Sequence, residues 1–188
     1  MAILVTGGAR SGKSSFAEKL SMRGGESGIY IATSHIYDEE MRERVSLHRQ
    51  MRLDSGYPWD TREEPYALQE LLLQLQETGA CREAVVMVDC LTLWLSNWLL
   101  RYEGDADAAN LVMKQVDALV ETVADFSGHL VLVTNEVGSG IVPEYALGRK
   151  FRDAAGRMNQ RLAETCDQVF LVTAGIPIEL KSRAYRLD

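Results

Sequence analysis

Short, almost wholly apolar runs alternate along this chain with longer segments in which apolar residues recur every three or four positions. The runs AILVT (Ala2 to Thr6), GIYIAT (Gly28 to Thr33), EAVVMVD (Glu83 to Asp89), HLVLVTN (His129 to Asn135) and QVFLVTA (Gln168 to Ala174) are strand-sized. They show little polar alternation, which predicts five strands buried on both faces. Helical spacing predicts helices over Lys13 to Met22, Asp38 to about Arg52, Ala106 to Phe126 and Arg149 to about Cys166. Pro65 suits the first turn of a helix through YALQELLLQLQE, and CLTLWLSNWLL reads as another. Strands separated by helices predict an α/β fold, a mainly parallel sheet covered by helices on both faces. No repeat, linker or low-complexity segment interrupts the pattern, so residues 1–188 are expected to form a single domain.

Composition narrows the classes. A net charge of −7 argues against a broad nucleic-acid footprint. Anion binding must therefore come from local clusters: Arg42, Arg44, Arg49 and Arg52, or Arg149, Lys150, Arg152, Arg157 and Arg161. Each of these also suits a solvated helix face. The three cysteines, Cys81, Cys90 and Cys166, are widely spaced and odd in number. They fit a reducing cytoplasm better than a disulfide framework or a zinc site. No apolar run reaches the length of a bilayer span, and the N-terminus lacks the basic lead-in of a signal peptide, so membrane insertion is not expected.

The first motif that carries chemistry is GGARSGKS, which matches GxxxxGK[ST] with Gly7, Gly12, Lys13 and Ser14 at the fixed positions. A strand leads into it and a helix starts at the lysine, which is the context a phosphate loop of the P-loop NTPase kind requires. Gly7, Gly8, Ala9, Arg10, Ser11 and Gly12 would turn backbone N–H groups toward a nucleotide's phosphates. Lys13 would reach the β- and γ-phosphates, and the Ser14 hydroxyl would bind Mg²⁺. A second metal ligand is expected at the end of a neighbouring strand, where Asp89 stands; Asp89 also suits the N-cap of the following helix.

Further stretches extend the picture. LVTGGARSGKS, YIATSHIYDEEMRERVSLHRQMR, WDTREEP, VDCLTLWLSN, VTNEVGSGIVPE and FRDAAGRMNQRLAE occur in that order. Together they resemble the bifunctional adenosylcobinamide kinase / adenosylcobinamide-phosphate guanylyltransferase family of adenosylcobalamin assembly, from Ala2 to about Pro177. The resemblance implies two reactions. One phosphorylates adenosylcobinamide with ATP or GTP; the other transfers GMP from GTP onto that phosphate through a GMP–histidine intermediate. His48 matches the family's nucleophile, whereas His35 and His129 fall outside the motif.

The chemistry of these residue types agrees. A neutral imidazole, with an unperturbed pKa of about 6.5, is a competent nucleophile near neutrality. Arg52, four residues on, shares its helical face and would stabilise phosphate charge while disfavouring protonation of His48. By itself, a histidine ending a Met41/Val45 stripe also suits a helix surface.

By the same resemblance Ala32, Thr33 and Ser34 contact nucleotide, as does the segment Arg49, Gln50, Met51 and Arg52. Glu63, in WDTRE, would accept hydrogen bonds from guanine, although Glu64 adjoins it and either acid also suits a helix's first turn. Asn135 and Glu136 follow a buried strand and would face the site. A corrinoid is large for a chain of this size, and the resemblance implies a trimer that supplies walls at subunit boundaries. Two simpler readings stand beside this one: a P-loop small-molecule kinase with a single activity, and a nucleotide-binding switch without catalysis.

Overall fold

The computed structural model describes residues 1–35 and 39–185, without the side chains of Glu40, Met41, Arg44 and His48. Asp38, the expected start of the second helix, lies outside the described residues. Seven strands form one sheet in the order β3-β2-β4-β5-β1-β6-β7. They are β1 (Ala2–Gly7), β2 (Gly28–Ala32), β3 (Trp59–Glu63), β4 (Val85–Asp89), β5 (Leu130–Val133), β6 (Gln168–Thr173) and β7 (Ile176–Glu179). All neighbours pair in parallel except β6 and β7, which are antiparallel. The helices are α1 (Lys13–Gly24), α2 (Glu39–Asp54), α3 (Leu68–Glu77), the single turn α4 (Ala80–Glu83), α5 (Leu91–Arg101), α6 (Ala108–Ala124) and α7 (Ala146–Thr165). The α/β architecture read from the sequence is thus the observed one.

Residue alternation divides the core. Leu4, Ile31, Val86, Val88, Leu130 and Leu132 point to one face, where they meet Leu72, Leu91, Trp94, Val116, Leu119, Met158 and Leu162 from α3, α5, α6 and α7. Val5, Tyr30, Met87, Val131 and Val133 point to the other, where Ala17 of α1 covers them and Phe16 and Leu20 pack at the margin. That second face is the thinner one. The helix after β2, EEMRERVSLHRQMRLD, is too polar to seal it, and Leu47, Met51 and Leu53 of α2 stay exposed. A cavity therefore remains over Tyr30 and Ala32.

Two strands and several boundaries differ from the sequence expectation. β3 reads WDTRE, with a half-exposed pattern typical of a sheet edge, so it lacks the apolar run that marks a buried strand. β7 is short and largely exposed, and its pairing depends on a tight turn at Ala174 and Gly175, both at positive φ, which suits a two-residue hairpin. α3 begins at Leu68, three residues beyond Pro65. A Glu64 carboxylate oxygen accepts the N–H groups of Tyr66 and Ala67 at 3.0 and 2.7 Å and holds the chain in a turn there. α7 begins three residues before Arg149, at Ala146.

The cysteines are all free and buried, and burial pushes the Cys90 and Cys166 thiols up to about 12. Among the described residues no helix is long and apolar enough to cross a membrane. Leu132, wholly buried in β5, is a direct probe of the larger half of the core. Leu132→Ala is expected to lower stability by about 2–5 kcal/mol, measured as a shift of the urea midpoint with the slope unchanged.

Candidate active site

The parallel strands end at a common edge, and their register aligns the site. Ala32 lies opposite Asp89, Asp89 opposite Val133, and Val133 opposite Val5. Two residues beyond Val5 the chain enters the glycine loop. Gly7 must be glycine here, because a Cβ would stand 2.4 Å from the Val172 carbonyl oxygen of β6. Gly12, at φ +92°, is the N-cap of α1 and offers no side-chain cap, so the helix's first N–H groups face the loop. The loop is braced from outside as well. The Gly175 N–H donates to the Ser11 carbonyl at 2.8 Å, tying the β6–β7 turn to the phosphate loop. The Lys13 ammonium donates to the Gly8 carbonyl at 3.2 Å.

A cavity of about 540 Å³ opens at this edge. Ala9, Arg10, Lys13 and Ser14 form its loop side, and Tyr30, Ala32 and Ser34 its β2 side. Asp89 and Cys90 enter from β4, Val45 and Arg52 from α2, and Asn135 from the segment after β5. Asp89 belongs to β4 and does not cap α5, whose N-cap is Cys90. Its carboxylate accepts the Tyr30 hydroxyl at 3.2 Å. Ser14 and Asp89 are hard oxygen donors on one cavity, which suits Mg²⁺: that ion takes one or two carboxylates, waters and substrate phosphate instead of an all-protein cage. No cluster of three or more His, Cys, Asp or Glu placed to hold a metal occurs among the described residues.

Several expected contacts turn out to position others. Thr33 is fully buried; its hydroxyl donates to the Cys90 carbonyl at 2.6 Å and accepts the Cys90 N–H at 3.0 Å. It locks β2 to the start of α5, while Ala32 and Ser34 face the cavity. Asn135 is held by a closed ring of hydrogen bonds. Its N–H donates to Thr92 Oγ1, which lies 3.3 Å from Thr134 Oγ1. Thr134 donates to Asn159, whose amide donates back to the Asn135 carbonyl. Glu136 donates its backbone N–H to the Gly7 carbonyl, and it does not line the cavity.

α2 divides its residues. Arg52, only 5 % exposed, lies with its guanidinium carbon 3.5 Å from the centre of the Tyr30 ring. Arg49 lines a separate cavity of about 470 Å³, beside Tyr57 and Trp59, in which Arg52 forms a shared wall. Gln50 bonds Asp54, and Met51 is 52 % exposed. His48 lies within α2, four residues before Arg52, but its side chain is outside those described. Of the two adjacent acids, Glu64 is engaged in the turn described above, whereas Glu63 stands exposed at the end of β3. The basic cluster of α7 is also partly committed. Arg149 and Arg152 donate to the carbonyls of Glu144 and Gly138, and Arg161 pairs with Asp117 of α6.

Residues 3–180 match the family described as cobinamide kinase / cobinamide phosphate guanyltransferase. The chain belongs to that family. The bifunctional adenosylcobalamin biosynthesis protein CobP of Pseudomonas aeruginosa is 42 % identical over 95 % of this chain and 96 % of its own length. CobU of Escherichia coli, which carries the same bifunctional description, is 42 % identical over 96 % of this chain and 100 % of its own. Among solved structures, a KaiC-like protein of Pyrococcus horikoshii is 16 % identical over 90 % of this chain and 69 % of that one, with a TM-score of 0.41.

Tyr30, Leu93 and Cys90 are cavity residues that sequence reasoning passed over. Tyr30 carried a signal, since it is the one polar-tipped residue inside an otherwise apolar strand. The two acids at the end of β3 make a test of the geometry. Glu64→Ala should lower stability by roughly 0.5–2 kcal/mol, as loss of a capping acceptor does. Glu63→Ala should stay within about 0.5 kcal/mol of the parent, both measured by chemical unfolding.

Proposed function

We propose that this chain is a bifunctional transferase of adenosylcobalamin biosynthesis, acting as one nucleotide-binding catalytic domain. It phosphorylates adenosylcobinamide with ATP or GTP, then moves GMP from GTP onto the new phosphate to give adenosylcobinamide-GDP. The observation that carries this reading is the meeting of Lys13, Ser14 and Asp89 with Arg52 of the histidine-bearing helix around one cavity. Family membership supplies the substrate class.

In the first reaction the acceptor hydroxyl oxygen bonds to the γ-phosphorus, the bond to the bridging oxygen breaks, and the nucleoside diphosphate leaves. Lys13 and the N–H groups of the Gly7–Ser14 loop hold the β- and γ-phosphates in line for that displacement. Ser14 and Asp89 would hold Mg²⁺, which neutralises charge on the same phosphates. In the second reaction an imidazole nitrogen of His48 bonds to the α-phosphorus of GTP and pyrophosphate leaves. The phosphate oxygen of adenosylcobinamide phosphate then takes the GMP and restores the imidazole. Arg52 stabilises charge on the transferring phosphate, and Glu63, free of the turn that engages Glu64, reads the guanine edge.

Arg49, Gln50 and Met51, which lead from His48 to Arg52 along α2, are proposed to contact the nucleotide. The exposed apolar residues Ile141, Val142 and Tyr145 support self-association, proposed as a trimer, with corrinoid-binding walls between subunits. Buried free cysteines support a cytoplasmic enzyme, the net charge of −7 supports one that binds no nucleic acid, and the short apolar runs support one that does not enter the membrane.

Lys13→Ala is expected to lower adenosylcobinamide phosphorylation by at least about 100-fold in a coupled assay of phosphorylated product, the scale of losing a key transition-state charge contact. Incubation with α-labelled GTP should place label on the protein that is lost in acid and stable in alkali. His48→Ala should remove it. Label that persists in that variant would end the covalent assignment, and phosphorylation without any label in the parent would leave only the kinase.

A further inference from the structure

Glu18 sits on α1, four residues after Ser14 and so on the same face of the helix. Its carboxylate reaches the interior opposite Arg52, with Glu18 Oε1 3.9 Å from Arg52 Nη1. That is an ion pair by charge, yet it is too long for a hydrogen bond. The geometry is correspondingly incomplete. Arg52 Nε and Nη1 and Glu18 Oε1 are all buried without a hydrogen-bond partner among the described residues.

A buried guanidinium normally satisfies its rigid fork of donors, because stranded donors in a low-dielectric interior are costly. Here the cation is kept in place by the Tyr30 ring and one distant carboxylate, and it faces the cavity that holds Lys13 and Ser14. Glu18 is itself uncomfortable there. Burial raises its pKa, Arg52 opposes that shift, and Asp89 adds to it.

We infer that Glu18 is a positioning residue that stands in for a nucleotide phosphate, keeping Arg52 folded into the cavity until a phosphate oxygen takes over its unmatched donors. The inference rests on reading the cavity as a triphosphate site. It has a signed consequence. A merely supportive acid would weaken nucleotide binding when removed, whereas a carboxylate competing with phosphate for one cation strengthens binding when its charge is removed. The gain must also travel through Arg52, so it must vanish when Arg52 is absent.

The experiment is a double-mutant cycle in the full-length protein. Titration calorimetry measures the affinity for the α,β-methylene analogue of GTP, which binds without transferring its α-phosphate, in the presence of Mg²⁺. Glu18→Gln should bind the analogue about five-fold more tightly than the parent, the scale of one ion pair that no longer has to be given up when phosphate takes Arg52. Its unliganded form should melt at a lower temperature. Arg52→Gln should bind more weakly than the parent, and adding Glu18→Gln to it should change affinity by less than about twofold. Glu18→Asp, which keeps the charge, should resemble the parent.

Unchanged or weaker binding in Glu18→Gln would overturn the proposal, as would an equal gain in both backgrounds. Absence of α-label on His48 with the cycle intact would end the covalent assignment alone. A parent protein that does not bind the analogue would end this inference together with the triphosphate reading.

Discussion

Parallel pairing is the constraint from which the site follows. When neighbouring strands run the same way, their C-terminal ends fall on one edge, and ligand-binding loops leave from that edge. In this chain the row Glu63, Ala32, Asp89, Val133 and Val5 crosses five strands. Five separate stretches of sequence are thereby brought level. The guanine-reading acid proposed on β3, the cavity-facing residue of β2, the carboxylate of β4 and the lead-in to the phosphate loop need no long-range device beyond the ladder itself. Backbone hydrogen bonds hold that alignment, and the apolar side chains on both faces keep water from competing for them.

The two faces of the sheet are not equivalent, and the difference shapes the chemistry. Four helices seal one face with large aliphatic side chains and Trp94. The other has α1 and the polar α2, so charge enters where a core would otherwise be. Glu18, Arg52, Tyr30 and Asp89 form a line of polar contacts across α1, α2, β2 and β4. Tyr30 is the pivot. Its ring supports the guanidinium and its hydroxyl donates to Asp89, while burial and the nearby carboxylate keep that phenol protonated well beyond the usual range. A single aromatic residue thus connects the group proposed to hold metal with the group proposed to hold a transferring phosphate.

Much of this was legible in the sequence, for identifiable reasons. Fully buried parallel strands leave unbroken apolar runs, so β1, β2, β4, β5 and β6 were found, and the phosphate loop announces itself by its spacing. β3 and β7 were missed because edge strands need bury only part of their surface, and WDTRE and IPIE carry no strong period. For Asp89 a metal ligand and a helix cap look alike in one dimension; the N-cap at Cys90 removes the cap reading, and the metal role stands as proposed. Thr33 was expected to contact nucleotide because Ala32, Thr33 and Ser34 together resemble the family's nucleotide-contacting segment at the end of a strand. Only the fold reveals that its side chain turns inward to Cys90, since adjacent residues leaving a strand alternate direction. Glu18 left no signal beyond its spacing from Ser14, because a pair between α1 and α2 depends on how two helices cross.

The hairpin after β6 gives the fold an unexpected reach. Its turn presses a glycine against Gly12 and anchors Ser11 from behind, so a segment far along the sequence braces the glycine loop proposed to hold triphosphate. A change in the Ala174–Gly175 turn can therefore loosen that loop without altering any residue of the motif. The hairpin is thus an outside buttress of the glycine loop, made of residues that the motif itself does not contain.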